Sequence, residues 1–475
     1  MMKSGRRSMD KREFRKKLLS LVLPITFQQF MLAVVSASDA LMVGVIGQDL
    51  LSAVSLASQI TFVYNLFLAA MTIGTSMFAA QYWGKGDKDA VERILGIVLR
   101  SSMSVSFAFF FGATFLPELL MRIFTPDPRL IHYGIQYLQI VGITYLLCGI
   151  SQIYLCIMKN SGLASMSMII SSTAALLNIV LNAVLIYGLF GAPRMETAGA
   201  AAATAMARVV ELLWVFWELR KTGRVKIRFL YIRKPDQRLK KDFWHYTLPV
   251  LGNELVWGGG FTMYSVIMGH LGTDAVAANS IANIVKNLIA SLAAGIGNGG
   301  SIMVGNELGA GRLEMAKAYG RKLCHIAVGS GILSGIFLLL ISPLVLQVTD
   351  LSPTAEGYLK WMLVMCAVYM AGKYVNGTTI GGIFCAGGDS RFGFLCDAVT
   401  LWCFTVPVGL LAAFVLKWPV LAVYFIVNSD EIVKLPAVYL HYGKYKWLKD
   451  LTVRKEGKNS IDNKKESFRK TKPAD

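Results

Sequence analysis

Charged residues are scarce in this chain, and their scarcity excludes an ordinary water-soluble fold. Asp, Glu, Lys and Arg make up 16% of the 475 residues, whereas a soluble domain has roughly 25%. Hydrophobic residues reach 55%, and the mean hydropathy is +0.52. Much of the surface therefore has to face lipid, so we expect an integral membrane protein.

Cysteine and histidine lack the spacing that metal or disulfide chemistry requires. None of the seven cysteines belongs to a C-x-x-C pair, and the five histidines are scattered. This pattern predicts neither a zinc site nor a disulfide framework. The Gly84-Lys85-Gly86 turn is not a phosphate-binding loop, because no strand precedes it and no Walker lysine follows. With no ATP site or other cofactor visible, any pumping has to draw on an ion gradient.

What the chain does contain is a series of apolar runs, each long enough to cross a bilayer, which needs about 20 residues. Lipid-exposed backbone must satisfy its own hydrogen bonds, so each run is predicted to be an α-helix. The predicted fold is an all-α polytopic membrane protein with twelve transmembrane helices. Their expected bounds are 18–46, 51–80, 92–118, 130–158, 164–190, 196–220, 243–270, 275–305, 316–348, 354–384, 392–414 and 418–441.

The net charge of +19 comes from three segments rather than from a basic face, which argues against nucleic acid as a partner. These segments are the N-terminus (1–17), the linker after the sixth helix (221–242) and the tail (442–475), which is expected to be disordered. Loops on the other side are poor in Lys and Arg. Because basic loops remain in the cytoplasm, both termini are expected there, with the chain in the plasma membrane (in a bacterium, the inner membrane).

An internal repeat divides the chain into an N-lobe (18–220) and a C-lobe (243–441). Shifted by 225 positions and without a gap, Leu23-Pro24 falls on Leu248-Pro249, and Gly84 falls on Gly309. Two similar six-helix lobes predict a substrate path between them and alternating access by rocking.

Asp39 in the first helix is the leading candidate for a coupling site, since a carboxylate inside lipid costs at least about 2.5 kcal/mol without a partner or a function. Asn178 and Asn182 share one face of the fifth helix, and Asn182 is expected at the depth of Asp39. This hard-oxygen set is suited to Na⁺ or to a carboxyl group that titrates. A purely structural hydrogen-bonded cluster is the alternative.

The seventh helix carries an acidic and aromatic stripe formed by Glu254, Trp257, Phe261 and Tyr264. Such a face suits an organic cation, although aromatic residues at this spacing also occur in ordinary packing. Lys286 in the eighth helix is the remaining candidate for the substrate cavity, and it is a possible ion-pair partner of Glu254.

The remaining charged residues and prolines inside the membrane are expected to have mainly structural effects. Lys373 in the tenth helix, like Lys286, complicates a cavity for cations. Arg208 and Glu211 are expected to pair, and Asp397 to cap its helix or to face the surface. Pro24 and Pro249 occupy equivalent positions and are predicted to kink their helices, with a gated hinge as a hypothesis.

Several stretches together resemble the multidrug and toxic compound extrusion (MATE) family over about residues 18–440. They are Leu23-Pro24, SDALMVGVIG (38–47), AAQYWGKGD (79–87), LLNIVLNAVLIYG (176–188), LPVLGNELVW (248–257), GTDAVAANSI (272–281), VGNELGAGR (304–312) and GGIFCAGGD (381–389). The resemblance implies two lobes around a V-shaped cavity, and drug export driven by H⁺ or Na⁺.

The resemblance also implies roles for single residues. Asp39 matches the family's acid in helix 1, Pro24 its bending proline, Asn178 and Asn182 its polar pair in helix 5, and Glu254 its glutamate in helix 7. Two departures stand out, because some members have aspartate at the position of Asn182 and many have arginine where this chain has Cys385-Ala386.

The sequence thus predicts an ion-coupled antiporter that acts as a monomer in membrane lipid and exports hydrophobic, cationic small molecules. A lipid-linked oligosaccharide or lipid flippase of the same superfamily is one alternative, supported by the two intramembrane lysines. A polytopic membrane enzyme is the other, although no acid, histidine and metal-ligand cluster supports it.

Overall fold

A computed structural model describes residues 11–44, 47–349 and 351–453. Regular structure in these residues is helical, with no β-strand, as the sequence predicts. The outer parts of the predicted N-terminal segment and tail, residues 1–10 and 454–475, lie outside the described residues.

Twelve helical spans form the two predicted six-helix lobes. The N-lobe contains α1 (Lys11–Gly44), α2 (Gln48–Lys85), α3 (Lys88–Phe115), α4 (Pro128–Asn160), α5 (Ala164–Tyr187) and α6 (Glu196–Leu219). The C-lobe contains α7 (Gln237–Gly269), α8 (Thr273–Gly309), α9 (Leu313–Val348), α10 (353–384), α11 (Ser390–Val415) and α12 (420–443). Short helices at Pro117–Arg122 and Phe229–Arg233 lie in the connections.

Three boundaries differ from the sequence prediction. Helix α1 already begins at Lys11, inside the predicted N-terminal segment. Helix α7 begins at Gln237, inside the predicted linker, because the side chain of Asp236 accepts hydrogen bonds from the first backbone amides and caps it. Residues 444–453, predicted as part of a disordered tail, pack against the body, and Trp447 among them is 0% exposed. We call residues 444–453 the C-terminal strap.

Nine of the helices in the described residues are long and apolar enough to cross a membrane. Helices α7, α10 and α12 fall below that standard. Helix α10 turns from an α-helix into a π-helix at Gly377, and α12 consists of three short helices. Helix α12 misses the standard because its pieces are short. The same three helices supply most of the lining of a polar cavity described below.

The two lobes contact each other on the side where α1 and α7 begin, which we call the basic side. There α2 and α8 cross so closely that a Cβ at Gly84 would lie 2.1 Å from the carbonyl oxygen of Asn306, and a Cβ at Gly309 would lie 1.8 Å from that of Gln81. Gln81 and Asn306 are themselves 225 positions apart. The crossing is therefore symmetric, and glycine is required on both helices for this close approach.

Hydrogen bonds between the lobes also lie on the basic side. Within the described residues they all involve Lys17, Gln81 or Lys85 of the N-lobe. The side chain of Gln81 donates to the carbonyl of Ala386 (2.7 Å) and accepts from the backbone amide of Leu451 in the strap (2.6 Å). The basic side is thus closed by helix crossing and by the strap together.

Candidate functional site

A polar site in the N-lobe joins α1 to α5. Asn182 donates a hydrogen bond from Nδ2 to Oδ1 of Asp39 at 2.5 Å. It also approaches Oδ1 of Asn178, one helical turn away, at 3.3 Å. The structure therefore places the three predicted coupling residues together at one depth, while their role in coupling stays a prediction. We call these three residues the N-lobe polar site.

The oxygen of Asn182 is the distinctive atom of the N-lobe polar site. Asn182 is 0% exposed, and its Oδ1 accepts no hydrogen bond from the described residues. Asn178 is held through its own Nδ2, which donates to the hydroxyl of Thr204 on α6 at 3.1 Å. A buried, unsatisfied acceptor beside a carboxylate is costly, and a cation or a donated proton would relieve that cost.

Arg208, a basic residue near Asp39, already has an ion-pair partner, as the sequence predicts. Arg208 pairs with Glu211 at 2.9 Å, and Glu211 also accepts hydrogen bonds from Ser151 (2.5 Å) and Gln152 (2.9 Å). Arg208 lies within electrostatic range of Asp39, but no ion pair joins them in the described residues. Asp39 thus keeps a carboxylate that is available to an ion.

A cavity of about 210 Å³ lies mainly in the C-lobe. Four of the five predicted substrate residues line it: Trp257, Phe261, Tyr264 and Lys286. The rings of Trp257 and Phe261 are stacked with centroids 5.8 Å apart, and Phe261 approaches Phe62 of the N-lobe at 6.1 Å. One wall is therefore aromatic and reaches the lobe interface. We call this space the C-lobe cavity.

Glu254 is not part of that lining. It lies one turn nearer the basic side on α7, within electrostatic range of Asp397 and Cys385. The suggested pairing of Glu254 with Lys286 is wrong, because no ion pair joins them in the described residues. Asp397 and Cys385 lie on α11 and just after α10, away from the residues that line the cavity.

The sequence analysis missed a buried charge network next to the cavity. Lys434 on α12 is 4% exposed and lies 2.9 Å from Asp397, 3.3 Å from Asp430 and 3.7 Å from Glu431. Asp397 is therefore a buried ion-pair partner, and the expectation that it caps a helix or faces the surface is wrong. The cluster of charges at 430–434 inside an apolar span was the signal that could have found it.

The two predicted hinge prolines lie inside unbroken helices. Pro24 is in α1 and Pro249 in α7, and a third proline, Pro343, is inside α9. The hinge role of Pro24 and Pro249 stays a prediction.

Twelve helices in two pseudosymmetric lobes, with polar sites buried within them, define the class of polytopic membrane transporters. A family model described as MatE matches residues 24–184 and 249–411. These segments cover more than half of the chain and begin at the two repeated prolines. The chain belongs to the MatE family, whose members are transporters.

Named relatives extend over nearly the whole chain. The uncharacterized transporter YisQ of Bacillus subtilis is 21% identical, covering 91% of this chain and 94% of its own length. The multidrug resistance protein PmpM of Pseudomonas aeruginosa is 23% identical, covering 83% of each chain. A probable multidrug resistance protein NorM of the same organism is 26% identical, covering 86% and 85%.

Solved structures agree in fold. An outward-facing multidrug resistance MATE family transporter of the MOP superfamily matches with a TM-score of 0.83 at 19% identity, covering 91% of this chain and 96% of its own. A MOP superfamily transporter from Pyrococcus furiosus, described as having a binding pocket of reverse polarity, matches with a TM-score of 0.82 at 18% identity and the same coverage. These likenesses support the two-lobe V-shaped fold.

Proposed function

We propose that this protein exports hydrophobic, cationic small molecules, including drugs, in exchange for H⁺ or Na⁺. The observation that carries the proposal is the separation of two sites. An unpaired carboxylate lies in the N-lobe polar site, and an aromatic cavity lies in the C-lobe. The names of PmpM and NorM, both multidrug resistance proteins, support export of drugs.

The coupling ion is assigned to Asp39. Its carboxylate, together with the unsatisfied Oδ1 of Asn182, offers oxygen ligands to Na⁺, and the carboxylate alone accepts a proton. Either ion drives transport only if it binds one lobe arrangement more tightly than the other. Bending of α1 at Pro24 and of α7 at Pro249 would supply two such arrangements.

The substrate is assigned to the C-lobe cavity. Its aromatic wall supplies apolar contact area and, for a cation, attraction to the ring faces. The carboxylates of Asp430 and Glu431 also line it. Lys286 and Lys373 also line the cavity, and two lysines favour the flippase alternative. However, the cavity volume of about 210 Å³ is small even for a drug-sized ligand, whose pockets are roughly 300–1,000 Å³. It therefore suits part of a small molecule better than a lipid-linked oligosaccharide.

The orientation follows from charge. We assign residues 1–17, 221–242 and 442–475 to the cytoplasm, with the lobes 18–220 and 243–441 in the plasma membrane as a monomer surrounded by lipid. The closed basic side is then cytoplasmic, which makes this conformation outward-facing. The match to an outward-facing relative supports this assignment.

Ethidium uptake into everted vesicles, which corresponds to efflux from the cell, tests the proposal. Na⁺ and pH gradients are imposed separately on vesicles containing the wild type, Asp39→Asn or a control, Asp49→Asn, which removes an exposed carboxylate at the start of α2. We expect one gradient to drive efflux, Asp39→Asn to abolish it and Asp49→Asn to preserve it. Efflux by Asp39→Asn under the same gradient would remove the coupling assignment, and absence of any drug transport would favour the flippase.

A further inference from the structure

Arg100 on α3 is a cation at the lipid-facing surface of a membrane helix. It lies twelve residues beyond Lys88, the first residue of α3, which is about 18 Å along the helix. Its side chain is exposed and forms no ion pair or hydrogen bond in the described residues. Three phenylalanines on the same side of α3, at spacings of seven, eleven and fifteen residues, are also exposed: Phe107, Phe111 and Phe115. This apolar stripe of a membrane-spanning helix faces lipid, where an isolated arginine is costly.

The short helix Phe229–Arg233, which we call the linker helix, packs on this side of α3. A Cβ at Gly96 would lie 2.8 Å from the Cβ of Tyr231, and Gly96 is about one turn from Arg100. The linker helix therefore lies beside a membrane-spanning helix and not beyond its end. Charged residues in the first turns of α3 give way there to the apolar run 94–99, which is the depth expected of lipid headgroups.

Hydrogen bonds and ion pairs hold the linker helix against α3. The hydroxyl of Tyr231 donates to Asp89 at 2.6 Å, and Arg228, which precedes the helix, pairs with Glu92 at 2.5 Å. Arg93 pairs with Asp89 at 2.7 Å, and its guanidinium lies 5.7 Å from the centre of the Tyr231 ring. The position of the linker helix is thus fixed, and both acids of α3 at this junction already have partners.

The surroundings of the linker helix carry an excess of positive charge. Residues 221–241 contain nine Lys or Arg and one acid, Asp236. Arg233 and Lys234, at the end of the linker helix, are exposed and form no ion pair in the described residues. Arg100 is therefore not needed to balance the acids of α3. This part of the surface attracts negative charge from outside the chain.

Two apolar side chains complete the surface. Phe229 is 74% exposed and Leu230 is 63% exposed. Phe229 precedes Tyr231 by two residues, or roughly 200° around the helix, so it points away from α3. Side chains of a helix lean towards its N-terminus, and Arg100 therefore leans from the phenylalanine stripe back towards the linker helix. A long cationic side chain that reaches the membrane interface beside exposed apolar groups suits the phosphate of a lipid.

We propose that Arg100 and the linker helix form a binding site for an anionic phospholipid from the leaflet on the basic side. Its phosphate pairs with the guanidinium of Arg100, its acyl chains lie along Phe107 and Phe111, and Phe229 inserts beside them. The site goes beyond the proposed function, because it requires neither the coupling ion nor the transported compound. It would attach the connection between the lobes to the membrane surface.

Native mass spectrometry of the purified full-length protein in detergent tests the site. Dioctanoyl phosphatidylglycerol and dioctanoyl phosphatidylcholine have the same chains and differ in net charge, and separate titrations give an apparent affinity for each. The wild type is compared with Arg100→Gln and Arg100→Lys. The control is Arg321→Gln, which removes an exposed arginine from α9, the helix of the C-lobe that is equivalent to α3.

We expect Arg100→Gln to weaken binding of phosphatidylglycerol about tenfold, in line with the loss of one charge-assisted hydrogen bond. Arg100→Lys, which keeps the charge, should retain most of that affinity, and Arg321→Gln should retain all of it. Phe229→Ser should weaken both lipids equally, because it removes apolar contact and no charge. The thermal unfolding temperature without lipid should not change in Arg100→Gln, which separates loss of the site from a folding defect.

Three results would overturn the proposal. One is equal affinity of the wild type for the two lipids. Another is an equal loss of phosphatidylglycerol in Arg100→Gln and Arg321→Gln, which would indicate a diffuse basic surface and not a site. The third is displacement of phosphatidylglycerol by inorganic phosphate, which would assign Arg100 to a soluble anion.

Discussion

The N-lobe and the C-lobe share one backbone plan but carry different chemistry. In each lobe the fourth helix donates a hydrogen bond to a glutamate on the sixth: Ser151 to Glu211 in the N-lobe, and Asn376 to Glu431 in the C-lobe. Ser151 and Asn376 are 225 positions apart and follow the internal repeat, whereas Glu211 and Glu431 are only 220 positions apart. Around this contact the N-lobe leaves the carboxylate of Asp39 unpaired, while the C-lobe gathers three acids around Lys434.

One pair of equivalent positions shows the divergence directly. Shifted by 225 positions, Asp39 falls on Tyr264, so the place of the proposed coupling acid in one lobe is taken by a cavity-lining ring in the other. The symmetric crossing of Gly84 and Gly309 has kept its geometry in both lobes. Backbone packing thus preserves the duplication, while the buried polar positions have diverged, in line with the proposed assignment of the ion to one lobe and the substrate to the other.

The largest expected effect tests the charge balance of the C-lobe. Lys434→Met leaves Asp397, Asp430 and Glu431 without their shared cation, and breaking a buried ion pair from one side costs about 3–5 kcal/mol. We expect a large fall in the thermal unfolding temperature, measured in detergent by the fluorescence of unfolding protein. Lys434→Arg, which keeps the charge, is the control. An unchanged unfolding temperature in Lys434→Met would show that the network does not stabilise the lobe.

The next prediction concerns the symmetric crossing. Gly309→Val adds a side chain whose Cβ would lie 1.8 Å from the carbonyl oxygen of Gln81. The basic side therefore cannot close as it does here. Overpacking of this kind costs about 1–3 kcal/mol, and we expect efflux to fall at least about tenfold. The control is Gly329→Val on α9, where a Cβ meets nothing within 4 Å. Equal efflux by the two variants would contradict a close crossing.

A smaller effect is expected at the N-lobe polar site. Asn182→Ala removes the hydrogen bond to Asp39 and the unsatisfied oxygen beside it. The concentration of the driving ion at half-maximal efflux should rise about tenfold, corresponding to one charge-assisted hydrogen bond, while the affinity for the drug is unchanged. Thr204→Val, which removes the support of Asn178 and a hydrogen bond to the carbonyl of Ala200, should have a weaker effect. A change in drug affinity instead would contradict the division between the lobes.

The smallest effect distinguishes two equivalent residues on the basic side. Gln81 joins α2 to Ala386 and to the C-terminal strap, whereas the Oδ1 of its counterpart Asn306 is buried without a hydrogen-bond partner in the described residues. Gln81→Ala should therefore favour opening of the basic side by about 1 kcal/mol, and Asn306→Ala should do so less. Thiol labelling of a cysteine introduced at Ala80 measures this opening. Equal labelling in both variants would show that the strap contacts do not hold this side closed.

The sequence predicted the fold well because the repeat and the apolar runs are both one-dimensional signals. The offset that aligns Gly84 with Gly309 also aligns the two halves of the helix crossing. The pairing of Asp39 with Asn182 was predictable from depth alone, since each residue lies a similar distance from the same helix end.

Other features depend on the direction in which a side chain points, which hydropathy does not encode. Glu254 shares a sequence stripe with Trp257, yet only Trp257 faces the cavity. Lys434 and Asp397 are 37 residues apart, and no periodic pattern relates them. The strap looked polar and basic as a whole, but Trp447 is an anchor whose burial is a tertiary contact.

The proposed separation of ion coupling in the N-lobe from substrate binding in the C-lobe is tested most directly on the Asp39→Asn protein. Drug binding and gradient-driven transport are both measured on this variant. Anisotropy with ethidium gives the affinity of the purified variant, and everted vesicles give its transport. The account predicts that the affinity stays within about twofold of the wild type while efflux is lost. Loss of ethidium binding in Asp39→Asn, or efflux that persists without the carboxylate, would contradict it.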